Sequence, residues 1–368
     1  MTQEFTVPGQ EGPGREKAVF RIKGSQKCAP EDVCRNGERR VCRTARLDMA
    51  GYAMAGGLTF FAILLLVLSA SSVWAAPPQA VSKVPMVMVG DRLVDAAFNL
   101  RVLPEAMVVR KSLWPLADEM AHTSQVLGCP NKVMNKKPDT LPSFMKQRGM
   151  TRILVEKNAR PCLYFDLTYD KIAEIVKDVP GVSVEYIDFD KGEVPAIQEL
   201  AALLGVQEKG AALVTAYEAK AARAKEALPE QGLGKRVVVL SGVYSEDGGT
   251  KFTRIEAPGG YTDTYILTPL GCVNAADVMI QDTKDIDKGH VTVRDLSSLM
   301  KANPDVIAIT GDAYAVQKNL SDNIKRHPEM AKIPALKNGA VYSLPFYANN
   351  GVLEYPNILR QWADALKN

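Results

Sequence analysis

Lys209-Gly-Ala-Ala-Leu-Val-Thr-Ala-Tyr-Glu-Ala-Lys-Ala-Ala-Arg-Ala-Lys-Glu-Ala-Leu228 is built largely from Ala, Leu, Lys, Glu and Arg, the residues that lose least on entering a helix. Pro229 and Gly232 stop it. A helix of about 20 residues spans about 30 Å, enough to run from one lobe of a molecule to another. Glu193–Leu204, just before it, has the same composition. On either side the pattern changes to short apolar runs alternating with amphipathic ones.

Upstream, Val84-Pro-Met-Val-Met-Val-Gly90 has the length and flanks of a buried strand, and Asp91–Leu100 has helical spacing through Leu93, Val94, Ala97 and Phe98. A helix at Leu141–Arg148, a strand at Thr151–Val155, a helix at Tyr169–Lys177 and a strand at Val182–Ile187 continue the alternation. Downstream, Lys235-Arg-Val-Val-Val-Leu-Ser-Gly242 restarts it. Helices are expected at Tyr261–Leu270, Val291–Ala302 and Ile358–Leu366, and strands at Asp305–Thr310 and Val341–Leu344. Strands alternating with helices imply mostly parallel sheets with crossovers. The expected division is an N-terminal α/β lobe at 76–205, a connecting helix at 206–230 and a C-terminal α/β lobe at 231–368.

The first 75 residues belong to neither half. Residues 49–75 carry no charge, and the apolar run Leu58–Leu68 has the length of a signal-peptide core, short for a membrane span. Arg39, Arg40, Arg43 and Arg46 precede it, and Val73-Trp74-Ala75 offers a small-x-small cleavage pattern. The expectation is export to the periplasm, with an uncleaved inner-membrane anchor as the alternative. Residues 1–48, without hydrophobic periodicity, read as a disordered extension or an over-called start.

With 10 basic and 7 acidic residues in 1–48, the remaining 35 basic and 35 acidic residues leave the body neutral. A neutral body argues against nucleic-acid binding, which needs clustered positive charge. Cys129, Cys162 and Cys272 lie in the body, where an oxidising compartment permits one disulfide, Cys129–Cys162, or three unpaired thiols. His122, His290 and His327 are the only histidines and stand far apart, so a bare transition-metal site is not expected. No serine-hydrolase elbow, zinc-protease helix, phosphate loop or Cys-x-x-Cys occurs, so the chain is not expected to be an enzyme.

Val291-Thr-Val-Arg-Asp-Leu-Ser-Ser-Leu-Met-Lys-Ala-Asn-Pro-Asp-Val-Ile-Ala-Ile309 and Pro334-Ala-Leu-Lys-Asn-Gly-Ala-Val-Tyr-Ser-Leu-Pro345 resemble two units of the class III periplasmic binding proteins of ABC importers. Gln198–Glu218 is similar to that family's inter-lobe helix, and Gly259-Gly260 through Leu270-Gly-Cys-Val-Asn274 to its leucine-glycine-x-x-Asn turn. In order, these pieces cover about 84–366. The resemblance implies two Rossmann-like lobes with mostly parallel sheets, joined by one long helix. It also implies a monomer, without cofactor, that captures an iron siderophore, haem, cobalamin or another metal chelate and delivers it to a permease and ATPase. Scarce histidine favours a chelate over a free ion. The alternatives are an exported enzyme or a membrane-anchored sensor of the same shape.

In such open sheets ligands sit beyond the carboxyl ends of the strands. That singles out Asp91, Arg92, Arg110, Lys111, Trp114 and Tyr164 in the first half, and Tyr244, Arg254, Asp312, Tyr314 and Tyr347 in the second. Arginine and lysine would pair with ligand anions, and aromatics would stack on a macrocycle or catechol. The resemblance also places Asp95 and Asp263 as acids that dock on permease arginines, although the family usually has glutamate there.

Overall fold

The computed structural model describes residues 80–367 apart from 112, 115, 246–249, 282–284 and 347–352, together with Glu4–Phe5 paired antiparallel with Phe20–Arg21. The expected extension at 1–48 and apolar segment at 49–75 therefore lie outside the described residues, save those four. Among the described residues no helix is long and apolar enough to cross a membrane.

The first half is a five-stranded parallel sheet. Its elements are β1 (Ser82–Val89), α1 (Asp91–Asn99), β2 (Val102–Val108), α2 (Leu116–Met120), β3 (Gln125–Gly128), α3 (Thr140–Arg148), β4 (Arg152–Lys157), α4 (Lys171–Val176) and β5 (Ser183–Asp188). The strand order β3-β2-β1-β4-β5 reverses direction between β1 and β4. Because successive strand residues point to opposite faces, Met86 and Met88 join one core with Leu93, Leu100, Phe189 and Leu200. Val87 and Val89 join the other, with Leu141, Met145 and Ile172. Burial on both faces explains why β1 reads as a continuous apolar run.

Then come α5 (Glu193–Leu203) and α6 (Gln207–Ala227), the long helix expected from composition. It packs against α5 on one side and the last helix of the chain on the other.

In the second half lie β6 (Arg236–Ser245), β7 (Thr250–Glu256), β8 (Val273–Asn274), α7 (Asp277–Ile280), β9 (His290–Val293), α8 (Leu299–Ala302), β10 (Val306–Gly311), α9 (Ala313–Arg326), α10 (Pro334–Lys337), β11 (Val341–Ser343) and α11 (Tyr355–Leu366). The sheet runs β9-β7-β6-β10-β11, with β8 also on β6. Its β6, β8, β10 and β11 pairings are parallel, while β7 is antiparallel to both β6 and β9. Trp362 of α11 is fully buried in the core under Val237, Val239 and Ala308.

Two helix expectations change. Within Val291–Ala302 only the last four residues are helical. The Val-Thr-Val start is β-branched and adds to the sheet edge as β9. Tyr261–Leu270 is helical as expected over 261–267, but with π-type bonding at Asp263–Leu267, and it ends in a turn. The amphipathic helix α9 and the Pro104-containing strand β2 lie outside the elements expected from the sequence. Cys129, Cys162 and Cys272 are all free, so the Cys129–Cys162 bridge does not form.

Candidate functional site

The strand order reverses between β1 and β4, and their carboxyl ends are the usual position of a binding site in an open parallel sheet. Gly90 occupies that corner at φ 118°, where an added Cβ would overlap Glu156. This close approach lets the Glu156 carboxylate accept the Arg92 N–H at 2.9 Å and an Asn158 side-chain N–H at 3.1 Å. Burial raises its pKa, against the pull of Arg92.

Asp91, also buried, accepts two bonds from Arg110, from the backbone N–H at 2.8 Å and from Nε at 2.5 Å. One bond anchors the Arg110 backbone and the other the Nε edge of its guanidinium, which leaves the Nη groups directed elsewhere. Its Nη1 donates to the hydroxyl of Tyr261, which belongs to the second half. The Leu163 N–H, from the first half, reaches the same hydroxyl at 3.3 Å.

Around that oxygen lies an aromatic cluster. Tyr164 meets Tyr261 edge-on at 5.2 Å, Tyr265 stacks on it at 6.0 Å, and Phe346 meets it edge-on at 6.5 Å. The Arg110 guanidinium lies over the Tyr261 ring, 5.3 Å from its centre. Tyr164 in turn presses on Gly289, where a Cβ would overlap its ring. Burial raises the Tyr261 phenol to about 12; Arg110 opposes the shift and Cys162 adds to it. The phenol is therefore neutral across the physiological range.

Behind Tyr261, Glu256 at the end of β7 is fully buried. It accepts the Thr262 N–H at 2.9 Å and the Thr262 hydroxyl at 2.6 Å, fixing the turn that carries Tyr261. Burial pushes its pKa up to about 7, opposed by the Thr262 bonds and reinforced by Asp263. Tyr164, whose pKa burial also raises, feels the same carboxylate.

Of the expected site residues, Asp91, Arg110 and Tyr164 are thus brought together. Arg92 turns to Glu193 on α5, its guanidinium 4.9 Å above the Phe189 ring. Lys111 pairs with Asp118 at 2.6 Å, both side chains half exposed. Arg254 lines a separate recess of about 240 Å³ with Asp285, Asp287 and His290. Asp312 caps α9 by accepting the Ala315 N–H at 2.8 Å, and Tyr314 is exposed on the first turn of that helix. Tyr347 and the side chain of Tyr244 lie outside the described residues.

Two expectations need correction. Trp114 is only 2 % exposed and packs in the core beside Leu93 and Met107, so it offers no ring to a ligand. Asp95 is 3 % exposed and accepts the Leu353 N–H at 3.0 Å. A carboxylate committed to that backbone cannot dock on another protein. Asp263 remains partly exposed, although it accepts the Gly259 N–H at 2.6 Å.

Sequence reading missed Tyr261, Phe346, Glu156 and Glu256. The first carried one signal, an aromatic directly after the Gly259-Gly260 pair. Among the described residues no group of three or more His, Cys, Asp or Glu is placed to hold a metal ion.

No curated protein sequence matches the chain. Among solved structures it is similar to SirA of Staphylococcus aureus, at 18% identity over 77% of this chain and 98% of that one, with a TM-score of 0.45. It is similar to the periplasmic heme-binding protein RhuT of Roseiflexus sp. RS-1 at 16% identity over 77% and 98%, TM-score 0.45. Similarity to the triscatecholate siderophore binding protein FeuA of Bacillus subtilis, solved with ferri-bacillibactin, is 15% over 76% and 92%, TM-score 0.44. The sequence profile described as periplasmic binding protein matches residues 161–348, just over half of the chain, and the chain belongs to that family.

Proposed function

We propose that the chain is the substrate-binding component of an ABC importer, exported to the periplasm, which captures a bulky anionic metal chelate between its halves. The convergence of Arg110, the Leu163 N–H and the Tyr164–Tyr261–Phe346 aromatics at one seam carries this reading. A guanidinium anchored on Asp91 through Nε suits a carboxylate, phenolate or phosphate of the ligand. Of the neighbouring rings, the partly exposed Tyr164 and Tyr265 suit the flat face of a haem, a catechol siderophore or a corrin, with Tyr261 and Phe346 buried behind them.

Capture involves no covalent step by this chain, and ATP hydrolysis belongs to the partner ATPase. Asp263 is the acid available for docking on the permease. Family membership favours binding over turnover.

The test is native mass spectrometry and absorbance on the purified full chain, followed by thermal shifts with ferric siderophores, haem and cobalamin. One chelate per chain is expected, and Arg110→Ala should weaken its binding at least about tenfold, the loss typical of a charge-assisted bond. If the whole panel fails to bind and a test substrate is turned over, the reading gives way to an exported enzyme.

A further inference from the structure

Tyr261 stands where a ligand atom would be expected. Its hydroxyl oxygen comes from the second half, yet the two donors it satisfies, Arg110 Nη1 and the Leu163 N–H, both belong to the first. Two converging donors, one of them charged, make a cradle for an oxyanion. A neutral phenol is a weak occupant of such a cradle, and burial keeps this one neutral. The Leu163 bond, at 3.3 Å, is longer than the 2.9–3.0 Å common for N–H···O contacts.

The phenol is also held from behind. Glu256 fixes the Thr262 backbone and hydroxyl, so the adjacent Tyr261 is presented to the first half by a stiff turn. Tyr265 stacks behind its ring, and Tyr164 and Phe346 close its edges.

We propose that Tyr261 is a displaceable plug, its hydroxyl occupying the oxyanion cradle of Arg110 and Leu163 and bridging the halves until a ligand oxyanion takes its place. This rests on the capture reading for the ligand, and on geometry alone for the bridge. Admission then depends on charge. A carboxylate, phenolate or phosphate oxygen forms stronger bonds to the same donors than a phenol does, whereas an uncharged ligand of the same size gains nothing by displacing it. Tyr261 thus sets specificity by competition rather than by contact.

The experiment is Tyr261→Phe in the full chain, which keeps the ring and removes the oxygen. Hydrogen exchange without added ligand comes first. The Leu163 amide should exchange about tenfold faster in the variant, as expected for one lost hydrogen bond, while β1 and β4 keep wild-type protection. Unchanged protection at Leu163 overturns the plug whatever the ligand is. Global loss of protection is excluded by the unchanged β1 and β4 amides, and Tyr265→Phe, which leaves the cradle intact, should exchange like wild type.

Haem and a ferric tris-catecholate are then titrated into both proteins. Removal of the competitor should tighten binding of whichever probe binds, by about threefold to tenfold. A weakening like that of Arg110→Ala would instead make Tyr261 a direct ligand contact and overturn the plug. If neither probe binds either protein, the capture reading loses these ligand classes, while the exchange result still decides the bridge.

Discussion

Glu156 and Glu256 lie at the carboxyl ends of strands in opposite halves, and both are buried. Each accepts a backbone N–H from the turn beginning the next segment it touches, and each lies under a glycine, Gly90 or Gly260, that leaves room for its side chain. Their electrical surroundings differ. Glu156 is raised by burial and by the like charge of Asp91, while Arg92, Asn158 and Arg110 oppose the rise. Glu256 is raised by burial and by Asp263 to about 7, and only the Thr262 amide and hydroxyl oppose it. Burial wins in both halves, but the first half sets guanidinium charge against it and the second only neutral hydrogen bonds.

The strongest way to break the comparison is at the glycines. Gly90→Ala combines a left-handed φ of 118° with overlap onto the Glu156 side chain at its root, which cannot swing aside. Strain and overpacking together should cost about 3–5 kcal/mol, read as a lowered denaturation midpoint. A variant as stable as wild type would mean that the Glu156 corner does not hold the carboxyl ends of β1 and β4 together.

Next in size is the pH response of Glu256. With a folded pKa of about 7 against an ordinary 4.5, the native state keeps a proton between those values that the unfolded chain has lost. Stability from this group is therefore full below about pH 4.5, falls as pH rises to 7, and is flat above; the change is about 3 kcal/mol. Glu256→Gln mimics the protonated form and should remove the slope. Its stability advantage over wild type should grow between pH 5 and 7.5 in paired thermal melts. Parallel curves for the two proteins would show that Glu256 is ionised throughout.

The smallest effect belongs to Lys111. Its pair with Asp118 is half exposed, so Lys111→Ala should change stability by less than about 0.5 kcal/mol. It should also leave chelate affinity within about twofold at moderate salt, in contrast to its neighbour Arg110, because an exposed charge is screened. A larger loss would move the ligand-contacting edge of the first half outward, toward Lys111.

What could be read from the sequence divides along similar lines. Runs buried on both faces, such as Met86–Val89 and Val237–Leu240, announce themselves because every residue is apolar. The long helix α6 does so through composition. Elements decided by their neighbours did not. β2 contains Pro104 and Glu105 and becomes a strand because β1 and β3 flank it, and β9 is pulled from an expected helix by pairing with β7. Within the site, Asp91 and Arg110 were legible by position after a strand. Glu156 was not, since its importance comes from Arg92, 64 residues away. Tyr261 was legible only as an aromatic after two glycines, because its partners are contributed by the other half. Trp114 and Asp95 failed for the opposite reason: their chemical types suggested exposure, and the packing of α1 and α2 consumed them.

The helix α6 has a consequence for affinity. Gly210 and Val214 near its start are buried, Gly210 closely against Ala201 of α5, and Lys220 in its later half pairs with Glu354 just before α11. It is seated at one end on each half, and a swing of one half against the other must bend it or unseat an end. Large open states should therefore be sparsely populated. A binder whose competent conformation already dominates has an apparent dissociation constant close to its intrinsic one, since little of the population must be recruited before binding. In this molecule the toll on ligand entry would come from one phenol oxygen rather than from a hinge.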